Sequence, residues 1–337
     1  MGWRTLWKPA VYQGRGKDRN YFEGWYFKVI DADAKHRYAV IPGVFYGQTP
    51  ETSHSFVQTL DGATGQAAYH RYALGDFRAA EDTFDVWVGP NHFQLDTITL
   101  DISDEQRQMQ GELHFERPIG WPVTTFSPGI MGWYAFVPFM QTYHGVLGLD
   151  HAVSGGLTVN GQAASFDGGR GYIEKDWGRA FPSAHVWLQT NHFEQPGTSL
   201  TLSVATIPWL FSQFRGFIVG FWHEQVLYRF TTYTGASLAR LIVSDLAVDV
   251  SLVGPAHPDS RDRYQLDVEV QRSQTAGVLH APDTVDMIQR VAESMTSDVK
   301  VRLTNLTTQT PVFQGVGKYA GVETSGQLAE IIDRQTS

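Results

Sequence analysis

The chain of 337 residues has no cysteine. Disulfides, a thiolate nucleophile and cysteine-ligated metals are therefore excluded. Charged residues are few, at 18%, and leave a net charge of -9. That balance argues against a nucleic-acid partner and supplies no polybasic attraction to an anionic membrane. No run of ~18 apolar residues occurs, so no transmembrane helix is expected. The opening stretch MGWRTLWKPAVYQGRGKDRN lacks the apolar segment of a signal peptide. The default expectation is a soluble, cytoplasmic protein. A G-x-S-x-G elbow, a Walker A loop, an H-E-x-x-H pair and a Rossmann glycine fingerprint are all missing. GRGKDRN (14–20) is basic and glycine-bearing, but it lacks the strand-to-helix context of a phosphate loop. Nucleotide chemistry is not expected.

Aromatic residues are abundant, with 10 Trp, 14 Tyr and 20 Phe, and they fall into runs that alternate with polar residues. FDVWVG (84–89), FQLDTITLDI (93–102), SLTLSVATI (199–207), YQLDVEVQR (264–272) and SDVKVRLTN (297–305) all have period two. Such alternation, with β-branched enrichment, marks half-buried antiparallel strands. Asp61-Gly62 and Asn160-Gly161 read as turns, the second inside a tight hairpin. Helical periodicity is scarce. DTVDMIQRVAESM (283–295) groups Val285, Ile288, Val291 and Ala292 on one helical face, with Asp283 as a cap. SGQLAEIIDRQ near the C-terminus predicts a shorter helix. The fold class expected is all-β: two antiparallel barrels or sandwiches with few short helices, divided as 1–165 and 166–337.

Three clusters carry the candidate chemistry. In YFEGWYFKV (21–29) a strand puts Tyr21, Glu23, Trp25 and Phe27 on one face and Phe22, Gly24, Tyr26 and Lys28 on the other. Glu23 then either sits at a polar rim or shares a face with aromatic side chains for a purpose. FSPGIMGWYAFVPFMQTYHGVLGLDH (126–151) is apolar and aromatic, and suits either the wall of a large pocket or a plain core. Its His144 and His151 lack the further ligands of a metal site, so no metal is expected. They read as buried, hydrogen-bonded histidines, or His144 as a proton donor or orienter. In GGRGYIEKDWGRAFPSAHVWLQTNHF (168–193), Glu174 and Asp176 share a strand face with Tyr172 while Lys175 points away. Carboxylates among aromatics are costly unless paired, hydrogen-bonded or protonated. An ion-paired turn and a proton-using site are the two readings.

These residues resemble the tocopherol cyclase family. The likeness rests on FEGWYFK (22–28), HGVLGLDHAVSGGLTVNG (144–161), YIEKDWGRAFPSAHVWLQTNHF (172–193) and LHAPDTVDMIQRVAESMTSDVKVRL (279–303). More distantly, the chain is similar to carotenoid hydratases and lipocalin-like cyclising enzymes. The resemblance implies two lipocalin-like domains, a hydrophobic small-molecule substrate and no cofactor. It implies an intramolecular cyclase of the isomerase or lyase type: an alkene of a prenylated quinol is protonated, and the phenol oxygen captures the cation to give a chromanol. On that footing Asp176 or Glu174 is the expected acid, with Asp176 favoured beside Trp177 and with Tyr26 and His144 as second-choice donors or orienters. Glu23, Trp25, Tyr143, Trp177 and Trp187 are expected to line the substrate site, with Gln189 and Asn191 bonding the ring oxygens. The chain starts close to its first motif, without a plastid transit region, so a bacterial or archaeal source is expected. The natural substrate is then a prenylated quinol, a terpenoid or a polyketide, reached through peripheral membrane contact. Two rival readings remain: a hydratase, in which water captures the cation, and a non-catalytic carrier of hydrophobic ligands.

Overall fold

The computed structural model describes residues 5–333. Nearly all regular structure is antiparallel strand, and the chain divides into two compact units. The first comprises Met1–Phe181 and Gly277–Arg290, the second Pro182–Ala276 and Val291–Ser337. The split expected between residues 165 and 166 falls inside the first unit, just ahead of the strand Gly169–Gly178. That strand is hydrogen-bonded between Tyr21–Ile30 and Thr142–Val159, so a boundary there would cut the middle of a sheet.

The first unit is built on a 12-stranded sheet. At its centre lie Arg37–Tyr46, Tyr21–Ile30, Gly169–Gly178 and Thr142–Val159, in that order. Alternation along Tyr21–Ile30 sends Trp25 and Phe27 inward, where both are fully buried. Trp25 stacks on Phe84 at 5.3 Å, and Phe27 meets Phe84, Phe93 and Phe115 at 5.8–6.1 Å. Those partners come from the far side of the sheet order, so the sheet curls around its own aromatic core. Each such ring contributes on the order of 2–3 kcal/mol by burial. The Asn91 side chain donates to Tyr72 Oη at 3.1 Å and links the two ends of the sheet.

The second unit is built on a sheet curled in the same way, nine of whose ten strands lie wholly or mainly in it. Arg229 N–H donates to Ala256 O at 2.9 Å, tying the first strand of the sheet order to the end of the next-to-last. Val186, Leu188, Val219, Leu252, Leu266 and Val301 are among its fully packed residues. Among the described residues the only helical turns are three short 3-10 segments, Leu74–Asp76, Gly132–Phe136 and Leu328–Glu330. This is the all-β architecture that the period-two pattern predicts, of the lipocalin-like kind that the resemblance implies. The Asn160-Gly161 turn also forms, with both residues at positive φ, joining Thr142–Val159 to Gln162–Ser165.

The helix expected over 283–295 does not form. Residues 287–305 form one long strand, Met287–Asn305, paired with Thr310–Gly326. Val285 and Ile288, assigned to a helical core face, are exposed, whereas Val291 is buried. The alternation of SDVKVRL extends back along the strand, and ladder hydrogen bonds outweigh a weak helical period. Asp283 does accept backbone N–H bonds, from Val285 and Asp286, but in a turn rather than a helix cap. Of 325–335, only Leu328–Glu330 is helical, and residues 334 and 335 lie outside the described residues.

The apolar run 126–151 is neither a single wall nor a plain core. Its first part is irregular and turns Phe126, Trp133, Phe136 and Phe139 outward, Phe126 being 84% exposed. Its second part enters the central sheet as Thr142–Val159. His151 is buried in that strand beside Phe115, and neither ring nitrogen has a hydrogen-bond partner among the described residues. Burial pushes its pKa down to about 3, so it is a neutral core residue. Gly171 makes room for it, since a Cβ there would lie 2.3 Å from its Nε2.

Candidate active site

Register across the central sheet decides which candidate residues meet. Gly24 lies opposite Asp176, Tyr26 opposite Glu174, and His144 opposite Asp176. Directly paired residues share a face. Tyr26, His144, Glu174 and Asp176, the four proposed for proton chemistry, therefore stand together on one side. Glu23, Trp25, Tyr143 and Trp177 belong to the opposite face, with Lys175. Trp187, Gln189 and Asn191 lie in the second unit, on or just after Ala184–Thr190. There Trp187 covers Gly321, while Val186 and Leu188 of the same strand point into the core.

On the first face His144 bridges two carboxylates. Its Nδ1 is 2.8 Å from Asp176 Oδ1, and its Nε2 is 3.6 Å from Glu174 Oε2. Tyr172 Oη donates to Glu174 Oε2 at 2.6 Å. The side chains of Glu174 and His144 are 6% and 11% exposed, that of Asp176 28%. Asp176 is thus the member of the group open to an incoming molecule. His144 Nε2 has no hydrogen-bond partner among the described residues, although it is buried.

Burial alone would lower the His144 pKa. The carboxylates of Asp176 and Glu174, with the hydrogen bond to Asp176, outweigh that and raise it to about 9. His144 is consequently an imidazolium at neutral pH. A raised histidine pKa stabilises the fold fully below the ordinary value near 6.5, and the contribution disappears as pH climbs through about 9. A shift of this size corresponds to about 3 kcal/mol. Chemical denaturation at pH 6.5 and pH 9.5 is expected to show that loss for the first unit, and His144→Gln is expected to remove the pH dependence.

His144, Glu174 and Asp176 also offer ligand atoms within 4.8 Å of one another, a spacing that could hold a metal ion. The imidazolium proton would first have to leave, because only a neutral imidazole ligates. The donor set as it stands favours a proton over a cation.

An apolar floor adjoins this group on the same face. Phe22, Phe45, Phe56 and Met287 form a buried cluster, with Ile41, Tyr69 and Phe181 packed against it. Its Phe22 is two residues from Gly24 along the first strand. The sequence signals this cluster only in part: Phe22 and Phe45 occupy regular strands, but Met287 arrives from 265 residues away.

The opposite face has a different character. Lys175 Nζ is 2.6 Å from Glu23 Oε1, and both side chains are completely buried. The remaining Lys175 donors reach Pro9 O at 2.9 Å and Val11 O at 2.6 Å. The ammonium lies over the rings of Trp25 and Trp177, at 4.9 and 4.7 Å. Glu23 accepts from Gln13 N–H at 2.9 Å and from the Tyr21 hydroxyl. Trp25 Nε1 donates to Ala10 O at 2.9 Å, and Tyr143 stacks on Trp177 at 5.6 Å. Burial pushes Glu23 up and Lys175 down, and their mutual attraction opposes both shifts. The arrangement fastens residues 9–13 into the end of the barrel and leaves no donor of Lys175 for a ligand. Lys175 was passed over in the sequence because it points away from Asp176. That same orientation delivers it to Glu23.

The family model described as tocopherol cyclase-like matches residues 99–326. The chain is 25% identical over 175 residues to a chloroplastic tocopherol cyclase of Zea mays, covering 49% of this chain and 35% of that protein. It is 30% identical over 91 residues to a probable chloroplastic tocopherol cyclase of Oryza sativa subsp. japonica, covering 26% of this chain and 19% of that protein. The chain thus spans about a third or less of these relatives. Among solved structures it is similar to CghA, with a TM-score of 0.56 and 12% identity, covering 91% of this chain and 88% of that one. At that identity the likeness concerns the fold.

Proposed function

The chain belongs to the tocopherol cyclase-like family, and from that premise we propose that it closes a ring on a prenylated quinol or related hydrophobic isoprenoid by acid catalysis. The observation carrying this reading is the His144–Asp176–Glu174 group, a set of proton carriers placed on a largely buried face beside apolar side chains. The proton held between His144 Nδ1 and Asp176 Oδ1 passes through Asp176, the more exposed of the two, to the alkene. A C–H bond forms, and the adjacent carbon becomes a tertiary cation. The pair is left one proton short, and its negative charge stands beside the developing cation. The phenol oxygen then bonds to the cation, and its proton returns to Asp176. Substrate and product are isomers, so no redox partner is consumed. Aromatic faces such as Tyr26 and Phe22 lower the cost of the cation by ~0.5–2 kcal/mol each. Excluding water protects it from capture.

A second reading is favoured by one observation: Asp176 and His144 retain some solvent exposure. Water could then capture the cation, giving a hydratase. Turnover of a prenylated hydroquinone by the purified protein separates the readings. In deuterated water, cyclisation is expected to place one deuterium on the former alkene carbon. In 18O-labelled water the chromanol is expected to carry no label, whereas a tertiary alcohol bearing 18O identifies a hydratase. Binding of the quinol with neither product would point to a carrier.

A further inference from the structure

The row of residues running across the face from His144 has an unusual composition. His144, Asp176, Gly24 and Gly43 are successive register neighbours, so two positions next to the acid have no side chain. The two glycines are not equivalent. A Cβ on Gly43 would lie 2.4 Å from Phe56 Cζ, so the Phe56 ring already fills that place. A Cβ on Gly24 would meet nothing closer than Pro42 O at 3.6 Å, Ile41 Cγ2 at 3.9 Å and Phe56 Cζ at 4.0 Å. A Cβ therefore fits at Gly24 in ordinary contact with those three atoms, between the register neighbours Asp176 and Gly43.

Burial marks the same spot. Phe22 and Tyr26, two residues either side of Gly24, are buried, as are Tyr172 and Glu174. Gly24, Asp176, His144 and Ile41 are only half-buried. The opening in this otherwise covered face thus coincides with the bare backbone at Gly24. Phe22 and Tyr26 each start about 7 Å from Gly24, and so about 13 Å from each other along the strand, which leaves the width of a planar ring over the glycine between them.

We infer that Gly24 is a specificity-determining residue: its bare backbone is the floor on which the flat ring of the substrate lies, holding the ring edge and the adjoining alkene against Asp176. This rests on the proposed cyclase reading and names the part of the substrate that the position selects. A methyl group added to the protein at this floor and a methyl group added to the ring compete for the same volume. Other substitutions on the face do not test this directly, because Phe22 and Tyr26 are parts of the packed wall.

The test compares two probes, a prenylated hydroquinone with no ring methyl groups and its 2,3,5-trimethyl counterpart. Affinity is read from tryptophan fluorescence of the full chain and of Gly24→Ala. The variant is expected to melt with the parent protein, because its Cβ has room. It is expected to bind the unmethylated ring within about threefold of the parent and the trimethyl ring at least about tenfold more weakly. An unchanged ratio between the two probes overturns the assignment of Gly24 while leaving the cyclase reading standing. Failure of Gly24→Ala to fold also overturns it, since the site would then be packed rather than open. If the parent binds neither probe, the cyclase reading fails and the role of Gly24 falls with it.

Discussion

Asp176→Asn is expected to lower cyclisation by about 10²–10⁴-fold, the range that a positioned general acid contributes. Asparagine has the shape of aspartate, and its carbonyl oxygen can still accept from His144 Nδ1, now 2.8 Å from Asp176 Oδ1. The fold is therefore expected to survive, and circular dichroism and the melting profile serve as the check. The same substitution removes the larger of the two electrostatic effects that raise the His144 pKa. An NMR titration of the His144 ring should accordingly show its pKa falling from about 9 toward the ordinary histidine range. Glu174→Gln provides the contrast. Glu174 lies farther from His144, is more buried and already accepts from Tyr172, so its loss is expected to weaken turnover less than that of Asp176. Full turnover in purified, folded Asp176→Asn would remove Asp176 from the role of acid.

Lys175→Met is expected to destabilise the first unit by about 3–5 kcal/mol, because it strands a buried carboxylate without its counter-charge. Glu23 would keep the N–H of Gln13 and the Tyr21 hydroxyl, while the carbonyls of Pro9 and Val11 would lose their donor. Glu23→Gln is expected to cost as much or less, since its amide can retain part of the network. Combining the two should recover part of the loss, with a coupling energy of about 0.5–3 kcal/mol. Denaturant unfolding followed by tryptophan emission reports on this site directly, because Trp25 and Trp177 flank the ammonium. Additive losses would mean that the two charges are not energetically coupled.

The sequence made the sheet architecture legible because period two is a local signal, repeated in nearly every strand. It also placed Glu174 and Asp176 together, since they are two apart and must share a strand face. It could not pair that face with a partner. Glu23 and Trp25 look as promising as Tyr26 in FEGWYFK, yet the structure sets both on the face opposite Asp176. Only the register Gly24–Asp176 and Trp25–Lys175 separates them, and register between strands about 150 residues apart leaves no mark in either segment. The helix expected over 283–295 failed for a similar reason. Its apolar residues suit a helical stripe, but the neighbour that claims them, Thr310–Gly326, comes later in the chain. Gly24 escaped notice because an absent side chain has meaning only beside what surrounds it.

The tripeptide Glu174-Lys175-Asp176 divides its labour by parity. Odd and even positions answer to different demands, one to the fastening of residues 9–13 through Lys175 and the other to the proposed chemistry. A slip of one residue between Gly169–Gly178 and its neighbours would exchange them, sending two carboxylates into the aromatic interior and an ammonium onto the reacting face. The strand is thus intolerant of insertion or deletion from both directions at once. A point substitution disturbs one face, whereas a change in length disturbs both together. The spacing of this segment, more than the identity of any one residue in it, is what the protein must keep.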